Sequence, residues 1–225
     1  MPITKKKNEN FFKVWTSEMA YVLGFFAADG CMIKNNRGAH FIEFYITDKN
    51  ILEKIRYVMG SNHKISERRR NLKWKTAYRL QVGSKKMFDD LILLGMSPTK
   101  SKTLKFPSVP MEYLKDFTRG YFDGDGNVYA NEYRRKDRSK LSITLLSGFT
   151  CGSRSFLEKL HKKLRRLAKL SGGTLFDKNG YYNLYYSVKD SCKLYDFMYN
   201  TESDLFLLRK KSIFEKFFKK RNIEF

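Results

Sequence analysis

The chain reads Leu23-Gly24-Phe25-Phe26-Ala27-Ala28-Asp29-Gly30 near its start and repeats this pattern as Arg119-Gly120-Tyr121-Phe122-Asp123-Gly124-Asp125-Gly126. Each copy predicts an apolar helix that ends on an aspartate. A carboxylate at a helix C-terminus meets the negative end of the helix dipole, which costs about a few tenths of a kcal/mol or more. A shared divalent cation would offset that cost, and carboxylate oxygens suit Mg²⁺. Asp29 and Asp125 are therefore candidate metal ligands.

The small residues of the two copies predict close helix packing. Gly24 and Ala28 lie four residues apart on one helix face, and so do Gly120 and Gly124. Side chains this small allow two helix backbones to approach one another. The two copies therefore favour a pair of helices in mutual contact.

A glycine follows the aspartate in both copies, at Gly30 and Gly126. A left-handed C-cap favours glycine at this position, and such a cap would hold the carboxylate at the helix end. Asp-Gly is also a common turn dipeptide. Two copies with matched small residues upstream make the simple turn the weaker interpretation.

With these residues, both segments resemble the signature helix of the LAGLIDADG homing endonucleases, in the single-chain form with two motifs. The resemblance extends over essentially the whole chain. It implies an α+β fold of two pseudo-symmetric αββαββα halves, whose antiparallel sheets form a saddle over DNA with the two motif helices packed at the centre. It also implies that Asp29 and Asp125 bind divalent metal together with the carbonyl groups of the preceding residues, Ala28 and Gly124.

Composition points to a nucleic-acid partner. The 225 residues include 45 Lys and Arg against 23 Asp and Glu, which gives a net charge of +22. No apolar run approaches the roughly 20 residues that span a bilayer, and the N-terminus leads into no signal-peptide core. Three cysteines without paired spacing argue against a disulfide framework and against a zinc finger. We expect double-stranded DNA as partner, no membrane, and a cytoplasmic, nucleoid-associated location, or an organelle matrix if the gene is organellar.

The repeat continues beyond the motifs. Three prolines before the second motif place the boundary between the halves near residue 107, so that the predicted domains are residues 1–106 and 107–225. Residues 41–47 predict a strand, and Asp48 is a good N-cap for the amphipathic helix that follows. Residues 141–146 are the corresponding strand, followed by Ser153 as the cap of a longer helix.

The second strand pair of each half alternates in character. Residues 73–82 place apolar side chains on one face and mostly cationic ones on the other, and residues 181–189 present a polar second face. A solvated surface is the usual meaning of this alternation, but sheet faces of this kind also fit a major groove. The resemblance assigns base or backbone contact to exposed strand positions, namely Glu43, Tyr45, Arg79, Gln81, Ser142, Thr144, Asn183 and Tyr185. Lys73, Lys75 and Lys189 belong to the same predicted faces, and the loops with Arg68-Arg69-Arg70 and Arg134-Arg135-Lys136 are predicted to contact phosphates.

Hydrolysis of a phosphodiester needs an activated water and neutralisation of charge on the phosphate oxygens. Asp29 and Asp125 with bound Mg²⁺ would meet most of this need, and Mn²⁺ or Ca²⁺ could substitute for it in binding. The family carries an active-site lysine in the region after the last helix of each half. The candidates are Lys100 or Lys102 in the first half and Lys210 or Lys211 in the second, and we select Lys100 and Lys210. Thr47 and Ser147 stand where the family often has a polar residue that orients water.

The sequence thus predicts a monomeric, site-specific endonuclease that hydrolyses one phosphodiester per strand at a long asymmetric DNA target. One alternative is a DNA-binding regulator that has lost cleavage, although the intact Asp29 and Asp125 argue against it. Another is a maturase that binds intron RNA on the same fold. A domain embedded in an intein is disfavoured, because the chain shows neither a catalytic N-terminal Cys or Ser nor a terminal Asn.

Overall fold

The computed structural model describes residues 5–69, 75–134 and 141–223, except the side chains of residues 100, 101 and 141. The first motif opens a series of seven elements and a short helix after them: α1 (Ser17–Asp29), β1 (Gly30–Lys34), β2 (His40–Ile46), α2 (Lys49–Val58), β3 (Ile65–Arg68), β4 (Ala77–Gly83), α3 (Lys85–Leu93) and α4 (Lys100–Thr103). One 3₁₀ turn at Met111–Tyr113 leads into the second series: α5 (Leu114–Asp125), β5 (Gly126–Arg134), β6 (Leu141–Cys151), α6 (Arg154–Leu167), β7 (Thr174–Asp177), β8 (Tyr182–Tyr186), α7 (Val188–Tyr199) and α8 (Leu208–Arg221).

Each series forms one four-stranded antiparallel sheet, and the two sheets have the same topology. Sheet A has the strand order β1-β2-β4-β3, and sheet B has the order β5-β6-β8-β7. In both sheets the glycine that begins the first strand pairs with a phenylalanine of the second strand. Gly30 pairs with Phe44 in sheet A, and Gly126 pairs with Phe149 in sheet B. The predicted α+β fold with two repeated αββαββα halves is confirmed.

The chain forms two compact units that cut across the repeat. One unit contains Met1–Lys100, Pro107–Gly124 and Ser203–Leu205, and the other contains Ser101–Phe106, Asp125–Glu202 and Phe206–Phe225. Nearly all of the second motif helix, α5, thus packs with the first series of elements. The boundary predicted at residue 107 follows the sequence repeat, and the compact units follow the packing of the helices.

Local signals explain the helices that cover the sheets. Asp48 accepts a hydrogen bond from the backbone N–H of Ile51 at 3.4 Å and starts α2, as predicted. Ser153 occupies the N-cap position of α6, but its hydroxyl pairs with Ser155 at 3.2 Å instead of capping the helix. The apolar face of α6 packs towards sheet B, and four of its side chains are fully buried, namely Phe156, Leu157, Leu160 and Leu164.

Three predicted strand limits are wrong. The strand expected over residues 141–146 continues to Cys151, because the polar Ser147 is buried within it and finds a hydrogen-bond partner. The strand expected to reach Lys189 ends at Tyr186, and Lys189 lies in the first turn of α7. Lys75 lies in the segment before β4, where its side chain is exposed.

Candidate functional site

The two motif helices pack with their backbones in contact at two glycines. A Cβ on Gly24 would overlap the carbonyl oxygen of Phe117, and a Cβ on Gly120 would overlap that of Tyr21. Both glycines lie in the middle of their helices, where alanine is intrinsically more stable by about 1 kcal/mol. The close approach of the helices therefore explains why the motif has glycine here, as the sequence predicted.

The same contact continues to the ends of the helices, where the candidate ligands lie. A Cβ on Gly124 would overlap the Cβ of Ala28 and would lie 3.5 Å from Oδ2 of Asp29. Asp29 is the last residue of α1, Asp125 is the last residue of α5, and both side chains are half-buried. The packing of α1 on α5 thus brings Asp29 beside Gly124, the residue that immediately precedes Asp125 in the chain.

The predicted left-handed cap after each aspartate is wrong. Gly30 has φ −81° and ψ 152°, so the chain passes from α1 directly into an extended strand. Gly126 likewise begins β5 and is not among the glycines with positive φ. Glycine is required at position 30 for another reason, since a Cβ there would collide with the ring of Phe26.

The motif helices carry buried polar side chains whose partners were not predicted from the sequence. The hydroxyl of Tyr21 donates to Oδ2 of Asp123 at 2.7 Å, and both side chains are fully buried. Arg119, also fully buried, donates from Nη2 to Oδ1 of Asp116 at 2.7 Å and from Nε to the carbonyl of Leu205 at 2.9 Å. The i, i+3 spacing of Asp116 and Arg119 is visible in the sequence. The carbonyl of Leu205 lies 86 residues further on and has no local signal.

Of the two candidate lysines, Lys210 is defined in the structure. It lies in the first turn of α8, only 5% exposed, and its Nζ donates to the carbonyl of Gly126 at 2.6 Å. Gly126 directly follows Asp125, so this ammonium group is held next to the end of the second motif. Lys100 begins α4, and its side chain is outside the described part of the chain.

Sheet A presents an open face of charged and polar side chains. Glu43 on β2 accepts hydrogen bonds from Gln81 at 3.0 Å and from Arg79 at 3.5 Å, both on β4. Tyr45 pairs across from Arg79, and Arg68 is exposed on β3. A depression of about 480 Å³ on this face is lined by Arg69 and by four of the residues named above, Glu43, Tyr45, Arg68 and Arg79. Five of the predicted DNA-contacting residues therefore lie together.

Sheet B places its predicted contacts on the equivalent face. Ser142 and Thr144 are half-buried and lie on the face of β6 opposite the buried Leu145, and Tyr185 on β8 is half-buried as well. Asn183 was expected to be exposed, and this is wrong. It is 6% exposed, and its side-chain oxygen accepts a hydrogen bond from Thr150 at 2.8 Å.

The remaining predictions fall in other places. Lys189 is exposed on α7, and Ser147, a candidate for orienting water, is fully buried with its hydroxyl donating to Ser191 at 2.8 Å. Thr47 is exposed just after β2. Lys73, Arg70 and the loop residues Arg135 and Lys136 lie outside the described residues.

A polar network beneath sheet B fixes the segment between α6 and β7. Burial raises the pKa of the Asp190 carboxyl, but hydrogen bonds from the backbone N–H groups of Ser171 and Gly172 outweigh it and lower the pKa below its usual value. Burial, and secondarily nearby Arg165, lowers the pKa of His161, whose Nδ1 forms a 2.9 Å hydrogen bond with the Tyr186 hydroxyl. Asp190 therefore remains ionised while His161 remains neutral near pH 7.

The residues at the motif ends fit a hard divalent cation. The available donors are carboxylate and backbone carbonyl oxygens, which Mg²⁺ and Ca²⁺ prefer to nitrogen or sulfur. The absence of a Cβ at Gly124 allows Ala28 and the carboxylate of Asp29 to lie directly against the end of α5. Within residues 5–69, 75–134 and 141–223, no group of three or more His, Cys, Asp or Glu side chains is arranged to hold a metal ion. Among the helices described, none is long and apolar enough to cross a membrane.

Comparison with known proteins agrees with this architecture. Residues 16–92 match the family model of the LAGLIDADG-like domain. The DNA-directed RNA polymerase subunit Rpo1C of Methanocaldococcus jannaschii is 29% identical over 131 residues, which cover 56% of this chain and 14% of that protein. The chain thus spans a small part of this curated relative, and the likeness concerns that segment alone.

Solved structures of homing endonucleases resemble nearly the whole chain. The I-LtrWI LAGLIDADG homing endonuclease bound to target DNA aligns with a TM-score of 0.62 and 15% identity, over 96% of this chain and 92% of that one. I-SmaMI, bound to an uncleaved DNA target in the presence of calcium ions, aligns with a TM-score of 0.63 and 12% identity over 93% of both chains. I-WcaI bound to its DNA recognition sequence aligns with a TM-score of 0.57 and 18% identity, over 91% of this chain and 90% of that one.

At these identities the structural matches establish the fold, and the family model adds the sequence relationship of the first half. The chain thus contains a LAGLIDADG-like domain at residues 16–92 and, over nearly its whole length, has the fold of these solved LAGLIDADG homing endonucleases, with two motif helices that are each followed by a four-stranded sheet.

Proposed function

We propose that this protein is a site-specific endonuclease that acts as a monomer on double-stranded DNA and hydrolyses one phosphodiester in each strand with the help of Mg²⁺. The observation that carries the proposal is the packing of two motif helices that each end on an aspartate, with glycines at the contact. A protein that only binds DNA has no use for carboxylates next to phosphates, because they would repel them. The structures bound to DNA among its structural relatives support the same substrate class.

Each part of the site has a role in this reaction. The carboxylates of Asp29 and Asp125 and the carbonyls of Ala28 and Gly124 would hold the metal ions. Bound Mg²⁺ supplies a Lewis acid that makes water more acidic and neutralises charge on the phosphate oxygens. The ammonium group of Lys210 is held at the Gly126 carbonyl, where it would stabilise negative charge that develops on the phosphate.

The net charge of +22 and the open sheet faces would provide binding. Cations of the charged strands and loops would contact phosphates and position the duplex, whereas side chains in the major groove would read its sequence. Because each neutralised phosphate releases counterions, the logarithm of affinity should fall with the logarithm of salt concentration with a slope of about −0.9 per contact. A flat salt response would contradict an electrostatic mode of binding.

The test is cleavage of a randomised duplex library with Mg²⁺ by the unmodified chain and by Asp29→Asn and Asp125→Asn. The unmodified chain should cut one long sequence, and neither variant should cut both strands. Asp89→Asn is a suitable control, since Asp89 is exposed on α3 and pairs only with Lys85 in the interactions described. Specific binding without any cleavage by the unmodified chain would refute the nuclease and favour a regulator, and stimulation of intron splicing would favour a maturase.

A further inference from the structure

The open faces of the two sheets differ in chemistry. The strand register and burial place Ile42 and Phe44 of sheet A, and Leu145 and Phe149 of sheet B, towards the covering helices. The alternate residues form the open faces. On sheet A this open face, here termed the charged face, carries Glu43, Arg68, Arg79 and Gln81. On sheet B it is termed the neutral face and carries Tyr129, Asn131, Tyr133, Ser142, Thr144 and Tyr185.

The neutral face holds no cation at its strand positions in the described residues of β5 to β8. Arg134 belongs to the opposite face, because it alternates with Tyr133 along β5. Glu132 also belongs to that opposite face, where it pairs with Lys220. The charged side chains of β5 therefore lie on the face opposite the neutral face, even though the whole chain carries a net charge of +22.

Base recognition in the major groove depends on these differences. Arg and Lys bind the two acceptors of guanine, whereas Asn and Gln bind the donor and acceptor of adenine. Apolar groups contact the methyl group of thymine, and hydroxyl groups pair with either type of edge. The charged face has two arginines for guanine, and Gln81 for adenine. The neutral face has Asn131 for adenine, with rings and hydroxyls around it.

The neutral face also exposes several apolar side chains, which favours a role as a contact surface. Tyr129 is 55% exposed and Tyr133 is 39% exposed on β5, and Leu146 on β6 is 36% exposed. On β7, Phe176 is 43% exposed and packs against the ring of Tyr185 at a centroid distance of 6.1 Å. Grouped apolar side chains on an otherwise polar surface are typical of a binding site. Thymine methyl groups are the partners that such side chains find in a major groove.

We infer that the two halves of the DNA target differ in composition: the half that contacts the neutral face is rich in A·T pairs, and the half that contacts the charged face contains guanines. The inference rests on the proposed function, since it assigns one half of that same target to each sheet. Asn131 and Tyr129 are then determinants of specificity that were absent from the residues predicted from sequence.

The test is selection of randomised duplex DNA by the full chain carrying both Asp29→Asn and Asp125→Asn, followed by sequencing. The recovered sequence is then offered to the unmodified chain, whose cleavage of it tests the proposed function separately. We expect one A·T-rich half and one half with conserved G·C pairs. Asn131→Ala should reduce the preference for adenine at a position in the A·T-rich half by about 5- to 150-fold, the range for one bidentate contact.

Two further variants assign the faces. Gln81→Ala should relax a position in the other half, whereas Glu132→Gln, next to Asn131 but on the opposite face, should change no base preference. Similar G·C content in both halves, or relaxation of the G·C-containing half by Asn131→Ala, would overturn the inference while cleavage upholds the nuclease. A chain that selects no defined sequence and cuts no DNA would refute both.

Discussion

Replacement of Gly24 by alanine tests the close packing of the motif helices, because the two effects involved have opposite signs. Without a neighbour, this substitution would stabilise the middle of α1 by about 1 kcal/mol. In the folded chain the new Cβ would overlap the carbonyl oxygen of Phe117 and lie 2.9 Å from both the carbonyl carbon of Phe117 and the backbone nitrogen of Tyr121. Ordinary contact begins near 3.4 Å. The two 2.9 Å contacts alone require the helices to separate by about 0.5 Å, and the overlap with the carbonyl oxygen requires more, since backbone atoms cannot rotate away as side chains do.

The net effect should be destabilising. Overpacking costs about 1–3 kcal/mol, and the upper end applies here because both colliding groups are backbone. After the gain in helix propensity, about 2 kcal/mol of destabilisation remains. For a chain of this size that lowers the melting temperature by about 4–8 °C. Cleavage measured well below melting should fall by up to about 100-fold, the loss that a misplacement of roughly 1 Å can cause, because the aspartates lie at the ends of the two helices that separate.

Thermal unfolding and single-turnover cleavage measure the two effects. Gly120→Ala should behave alike, and the double variant should cost less than the sum, because helices that have already separated accommodate the second methyl group. Gly95→Ala is the control: a Cβ there meets nothing within 4 Å, but φ is +90°, so stability should fall by about 1–2 kcal/mol without loss of cleavage. A Gly24→Ala chain that melts at or above the temperature of the unmodified protein would refute the reasoning.

Three further predictions concern buried polar groups. Tyr21→Phe should destabilise by about 1.5–3 kcal/mol in denaturant unfolding, because it removes a 2.7 Å hydrogen bond to the buried Asp123 carboxylate; an unchanged midpoint would contradict this. Asp190→Ala should cost about 2–3 kcal/mol at pH 7, and since its pKa is lowered in the folded state, the difference from the unmodified protein should shrink as the pH falls below about 4. His63 and His161 have a lowered pKa, each chiefly through burial, so stability should decrease as the pH falls below about 6.5, and the double Gln variant should show a smaller decrease.

Sequence patterns predicted the features that depend on neighbours in the chain. The cap at Asp48, the apolar face of α6 and the glycines of the motif helices each have a signal within a few residues. The errors arise where a partner far away in the sequence determines whether a polar residue is buried. Ser147 interrupts the apolar alternation of β6, yet it is buried because Ser191 accepts its hydrogen bond from 44 positions away.

The same explanation applies to the polar groups that were missed or misplaced. Asn183 is buried because Thr150, on the neighbouring strand, donates to its side chain. Arg119 would be too costly to bury without both the Asp116 carboxylate and the carbonyl of Leu205. These pairings follow from the completed fold. Local periodicity gives no sign of them.

The contact between the motif helices also distinguishes the two copies. Tyr21 and Phe117 each lie three residues before the central glycine of their motif, and Ala27 and Asp123 each lie three residues after it. A pair of two first-copy helices would leave the buried hydroxyl of Tyr21 facing an alanine. A pair of two second-copy helices would bury the Asp123 carboxylate against a phenylalanine ring, and an uncompensated buried charge costs about 3–5 kcal/mol. Only the mixed pair matches the tyrosine hydroxyl with the carboxylate. The divergence of the two copies therefore favours association of two unlike motif helices, which one polypeptide guarantees.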